Sequence, residues 1–134
     1  MKKYTLLLFF LFTLNSFAQV DKYRGISVVE VENTGIGDKY SESKKADVII
    51  VFELTNRKIT VSENGEKVFN IIKSRSYFDN ENNERTRFNC KNEKGEKISI
   101  EIIKYVKPKN EVQTQIVIKN LMIAYIYNVN KIQN

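Results

Sequence analysis

Histidine and tryptophan are absent from this chain, and cysteine and proline occur once each, as Cys90 and Pro108. Each absence removes a class of chemistry. Without histidine the chain cannot supply a serine–histidine or cysteine–histidine catalytic pair. A single cysteine can neither close an internal disulfide nor supply the cysteine–histidine set of a structural zinc site. No metal and no cofactor is therefore expected. With one cysteine and no tryptophan, the Cys–Trp–Cys core of an immunoglobulin sandwich is missing. Stability must come from packing and backbone pairing alone.

Long apolar runs are also scarce, and the one at the start has a different meaning. Lys2 and Lys3 are followed by Leu6–Leu14, apolar except for Thr13, and then by Ser16-Phe17-Ala18. A basic start, a short apolar stretch and small residues three before and one before a cleavage point make a secretory leader. The run is shorter than the roughly 18 to 20 residues a bilayer-spanning helix needs. The leader is assigned to residues 1–19 and a single domain to residues 20–134, with no membrane span in the mature chain. Export places that domain in the periplasm or outside the cell. Loss of the leader removes two lysines and no acid, so the formal charge falls from +6 to +4. That balance is modest, and nucleic-acid binding is not expected from it.

What remains is rich in Ile, Val, Tyr and Phe, arranged with a two-residue period or in short apolar runs. Those are strand signals. The pattern predicts strands at Ile26–Glu32, Asp47–Leu54, Arg57–Ser62, Lys67–Lys73, Arg85–Lys91, Lys97–Tyr105, Thr114–Lys119 and Leu121–Val129, with a further short one near Ser76–Asp79. The links have turn chemistry: Thr55-Asn56, the Asn-Gly of Glu63–Glu66, the glycine of Asn92–Gly95, and Pro108 in a lysine-rich turn. Thr34–Ala46 reads as a loop, with room for one helical turn. Short links favour antiparallel pairing, since parallel strands need long crossovers. The expected class is all-β: about eight antiparallel strands in a meander, forming a small barrel or a two-sheet sandwich. Val48–Leu54 and Leu121–Tyr127 are apolar on both faces and read as central strands covered twice.

Candidate sites follow from the same alternation. Thr86, Phe88 and Cys90 share one face of their strand, while Arg85, Arg87, Asn89 and Lys91 share the other. Cys90 therefore reads as a core thiol, inert because burial suppresses the thiolate. On the opposite face, Lys73 and Arg75 would lie beside Arg85 and Arg87 if the neighbouring strand returns through Asn80–Asn83. Such a cluster suits an anion such as phosphate, sulfate or carboxylate. Tyr125 and Tyr127 are candidates for ligand or partner contact. Asp79–Glu84 offers oxygen ligands but departs from an EF-hand start, with Glu84 and Cys90 where glycine and glutamate are needed. Asp47, Glu53 and Glu101 are the strand-borne carboxylates that a paired-carboxylate hydrolase would require.

The leader, followed by "VIIVFELTNRKITV" and the late "AYIYNV", resembles small exported β-proteins of unknown function in Gram-negative bacteria. The resemblance implies export and an all-β domain and assigns no activity. A chain poor in acid–base groups favours a non-enzymatic binding or interaction module. Its partner would be an apolar small molecule, an anionic envelope component or another envelope protein. The alternative is a carboxylate-dependent hydrolase acting on an envelope or extracellular substrate.

Overall fold

Two-residue alternation carries nearly the whole domain into strands. The computed structural model describes residues 20–109 and 112–133. The leader assigned to residues 1–19 lies outside the described residues. The strands are β1 (Val20–Asn33), β2 (Asp38–Tyr40), β3 (Lys44–Glu53), β4 (Lys58–Ser62), β5 (Glu66–Phe78), β6 (Glu84–Lys91), β7 (Lys97–Lys109), β8 (Val112–Lys119) and β9 (Ile123–Ile132). All pairings are antiparallel. Eight strands run in the order β1-β3-β4-β5-β6-β7-β8-β9, and β9 returns to pair with β1 from Lys22↔Ile132 to Glu32↔Ile123. The fold is a closed antiparallel barrel, not a sandwich. β2 is an addition, paired among the described residues with the Val31–Asn33 end of β1.

Closure decides which face of each strand is inside. Tyr23, Val48, Ile50, Phe52, Ile59, Phe88, Cys90, Ile100, Ile102, Ile116 and Val129 fill the interior. Tyr23 meets Phe52 edge-on at 5.7 Å between ring centroids, and Phe52 meets Phe88 at 5.4 Å. These rings plug the end where β1 begins. Each large side chain removed from water in this way stabilises the fold by about 1.5–3 kcal/mol. The outer wall carries charges instead, among them Arg24, Asp47, Lys73, Arg75 and Arg87. That polarity is the reverse of a membrane-spanning barrel, which is apolar outside and polar within. Among the described residues no helix is long and apolar enough to cross a membrane.

A hydrogen-bonded row on the outer wall supports the closure. Tyr105 donates to Gln115 Oε1 (2.6 Å), Gln115 Nε2 donates to Asn128 Oδ1 (2.9 Å), and Asn128 Nδ2 donates to Ser27 Oγ (2.8 Å). Four strands, β7, β8, β9 and β1, are linked by side chains as well as by backbone.

Several expectations need correction. Thr34–Ala46 is no plain loop and holds no helical turn: it contains β2 and the start of β3. The Ser76–Asp79 segment is the far end of β5, which continues from Lys73 through Phe78. Arg57 has a positive φ of 50° and belongs to the β3–β4 turn. Leu121 and Met122 form the β8–β9 turn, where Asn120 Oδ1 accepts from the backbone of Met122 and Ile123. β7 runs on past the expected turn at Pro108, which falls where the register shifts between Lys104↔Thr114 and Lys109↔Val112. A missing N–H costs little there. The doubly apolar strands are not covered twice. A barrel has one interior, so Ile49, Val51, Ala124 and Ile126 are only half-buried on the outer wall.

Gly25 shows how tightly the interior constrains β1. It is buried between β3 and β9, beside a bulge at Ile26. A Cβ added there would collide with Val48 Cγ1 and lie 3.3 Å from Tyr127 Cδ1. Gly25→Ala is expected to destabilise the fold by about 1–3 kcal/mol through overpacking. A lowered urea midpoint at unchanged m would show this; an unchanged midpoint would contradict it.

Candidate functional site

The two ends of the barrel differ. Opposite the aromatic plug, the turns Glu63–Gly65, Asn92–Glu96 and Asn120–Met122 surround an open recess of about 550 Å³. Local chemistry shapes each turn. Asn64 and Gly65 take positive φ angles of 51° and 124°. Asn92 Oδ1 accepts from the backbone of Lys94 and Glu96, and Gly95 again has positive φ. The walls come from inward positions next to these turns: Val61 and Ile118 before them, Ile98 and Ile123 after them, with Phe69 and Tyr127 deeper. Glu63, Glu66, Glu93 and Glu96 share the rim with Lys67, Lys94 and Lys119, so the mouth selects no single sign of charge.

Tyr125 and Tyr127, expected as contact residues, both line this recess. Tyr127 is buried and donates its hydroxyl to Glu63 Oε2 at 3.1 Å. Burial first, and the Glu63 carboxylate second, push its pKa far above the ordinary phenol value. It stays a neutral donor at any physiological pH. Tyr125 is more exposed and also borders a smaller recess of about 100 Å³, lined with Val28, Glu30, Ser41 and Lys44. Leu121 and Met122 stand almost free at the lip. The chemistry available is an apolar chamber with one fixed hydroxyl and a mixed-charge rim.

The cationic cluster is on the outer wall, away from the recess. Arg75 is paired with Arg87 and Tyr77 with Arg85 across β5 and β6, while Lys73 faces Asn89. Glu101, 6 % exposed, separates the two β6 arginines. Its Oε1 accepts from Arg85 Nη1 (2.8 Å) and its Oε2 from Arg87 Nε (3.0 Å). Arg85 Nε also donates to Asp79 Oδ2 (2.8 Å). The Arg75 guanidinium lies 5.6 Å over the Tyr77 ring, within cation–π range. Of the four cations proposed from sequence, Arg85 and Arg87 are thus engaged by carboxylates. Among the described residues Lys73 and Arg75 have no carboxylate partner.

The remaining candidates have structural explanations in view. Asp79 caps its own hairpin: Oδ1 accepts from the backbone of Glu81 and Asn83, and Oδ2 from Asn83 Nδ2 and Arg85. Buried Asn83 then accepts from Val106 N through its Oδ1, tying this tip to β7. A carboxylate so fully occupied by donors is not arranged for a cation. Glu53 accepts from Asn56 at the β3–β4 turn. Glu53 and Glu101 both point outward, from β3 and β7, which are diametrically opposed in the eight-strand ring. They form no common cleft. Cys90 is 3 % exposed, and among the described residues its polar contact is Sγ to the Phe88 carbonyl at 3.7 Å.

Fold and recess together define a closed β-barrel plugged at one end and hollow at the other. Comparison with known proteins finds no matching family model, no matching curated protein and no matching solved structure.

Two expectations follow from these environments. Burial pushes the Cys90 thiol up to about 11, so thiolate is scarce at neutral pH. Native protein should leave a maleimide or a disulfide reagent unreacted until urea is added; rapid labelling without urea would place the sulfur outside the core. Asp79 behaves in the opposite sense. Hydrogen bonding from Arg85 above all, with further donors at Asn83 and Glu81, holds its carboxyl at about 2 despite partial desolvation. A depressed pKa gives stability that is complete above the ordinary carboxylate value and is lost as pH falls through the native one. Between about pH 4 and pH 2 the wild type should lose stability more steeply than Asp79→Asn, as read from urea midpoints. Parallel curves would show that this carboxylate does not carry that acid sensitivity.

Proposed function

We propose that the domain is an exported, non-enzymatic module that binds an apolar small molecule in the recess at the open end of the barrel. One observation carries this reading. The interior is filled over only part of its length, leaving an open recess of about 550 Å³ with Val61, Phe69, Ile98, Ile118, Ile123 and Tyr127 on its inner wall and charged and amide side chains around its mouth. Small-molecule sites are apolar concavities of roughly 300–1,000 Å³ with a few placed polar groups. The Tyr127 hydroxyl, held by Glu63, is such a group. Eight-stranded barrels are of a size either to fill with side chains or to hold one small ligand, and this one divides its length between the two. The leader pattern and the resemblance to exported β-proteins support a periplasmic or extracellular setting. Glu53 and Glu101 face away from each other and lend no support to a hydrolase built on that pair.

The neutral fluorescent amine N-phenylnaphthylamine is a suitable probe. It should bind saturably, with a blue-shifted rise in emission. Ile118→Trp, which fills the recess from one wall, should weaken binding by about tenfold or more at an unchanged melting temperature. Arg75→Ala, on the outer wall, should leave binding as it was. The reading fails if emission never saturates, or if Ile118→Trp binds the probe as tightly as wild type.

A further inference from the structure

The barrel is closed, yet one of its strands outruns its neighbour. β4 has five residues, and its last pair with β5 is Lys58↔Asn70, followed by one bond from Ile71 N to the Arg57 carbonyl at 2.8 Å. On its other side, β5 stays paired with β6 as far as Phe78↔Glu84. Ile72–Phe78 therefore has a strand on one side only among the described residues, and the alternate N–H and C=O groups of its other side form an open edge. An edge of this length is a template for a further strand.

The side chains along this edge indicate what kind of strand would fit. Lys73 and Arg75 project from the outer face without a carboxylate partner among the described residues. The two acids that reach into the cluster are already committed, Glu101 to Arg85 and Arg87, and Asp79 to Arg85, while Glu84 stands opposite Phe78 at the far end of the edge, beyond Lys73 and Arg75. Arg75 also stands directly opposite Arg87, and like charges at opposed positions destabilise a sheet. An added strand with acidic side chains at alternate positions would relieve both. The other face of the edge offers Ser74, Ser76 and a 71 % exposed Phe78, which suit small and apolar residues. A second copy of this chain fits poorly. Antiparallel pairing of β5 with β5 would set Lys73 and Arg75 against their own equivalents. The bulge at Ile72 also bends the strand and limits casual pairing.

We propose that the Ile72–Phe78 edge of β5 receives an extended segment of another protein, bearing acidic residues at every second position, as an added strand. This surface lies outside the recess and does not depend on the small-molecule reading.

The test uses two synthetic peptides, one alternating Glu with Val and Thr, the other its lysine twin, added to isotope-labelled protein. In the free protein, the edge-facing amides of Lys73–Phe78 should exchange quickly with solvent, as unpaired groups do. The acidic peptide should slow these amides, which belong to every second residue, and bind about tenfold more tightly than the lysine twin, the effect of two cross-strand charge pairs. Lys73→Glu combined with Arg75→Glu should invert that preference. Lys73→Gln with Arg75→Gln, a milder change to the fold, should abolish it. Equal binding of both peptides would overturn the proposal. So would self-association of the protein alone in sedimentation velocity, which would give the edge to a second copy. Inorganic phosphate competing fully at matched ionic strength, with no amide protection by peptide, would mark a simple anion site and overturn it as well.

Discussion

Pairing between the first and last strands closes the ring and gives every strand an inside. β1 is long enough to meet β9 over ten paired positions while sharing its other side between β3 and β2. Without that closure the eight strands would be an open sheet with two long edges and no defined inside. With it, each strand has one face sealed from water, and alternation sorts the side chains. The strand must bend to achieve this. The bulge after Gly25 provides the bend, and the missing Cβ at Gly25 lets β3 and β9 come close. The side-chain row from Ser27 to Tyr105 then reinforces the seam from outside.

Once the ring is closed, the size of the inward side chains decides what is solid and what is hollow. Tyr23, Phe52 and Phe88 meet across the middle at one end, since aromatic rings reach far enough to touch. Near the other end the positions beside the turns are the shorter Val61, Ile98, Ile118 and Ile123, and the aromatic residues that also line the recess, Phe69, Tyr125 and Tyr127, leave it open. The recess is a consequence of that gradient. Its opening is kept by three hairpin turns that satisfy much of their own backbone, one through the bond from Glu63 N to the Gly65 carbonyl and the others through the side chains of Asn92 and Asn120.

Electrostatics on the outer wall follow from the same register. Alternation puts Arg75, Arg85 and Arg87 on one face and pairing makes them neighbours, an arrangement that costs stability unless carboxylates intervene. Glu101 enters from β7 between two of them, and Asp79 reaches back from its hairpin to one. Breaking fully buried pairs of this kind costs about 3–5 kcal/mol, and these arginines, still partly in water, stand below that range. Glu101 looked like a possible acid–base group because its neighbours in sequence are isoleucines. Its neighbours in space are guanidinium groups, and strand register alone brings them there.

The all-β class, most strand positions, the antiparallel order and the burial of Cys90 were legible in the order of residues. These properties depend on local alternation and turn chemistry, which act within a few residues. The order of residues also drew attention to Tyr125 and Tyr127, and to the cluster of Lys73, Arg75, Arg85 and Arg87, because both are contrasts visible along a single strand. The choice between barrel and sandwich was not legible there, since closure pairs residues about a hundred positions apart, from Lys22↔Ile132 to Glu32↔Ile123. Nor was it legible that Val61, Ile98, Ile118 and Ile123 line a recess instead of a filled core. An inward aliphatic residue has the same signature in either setting, and only the distance to the opposite wall tells them apart.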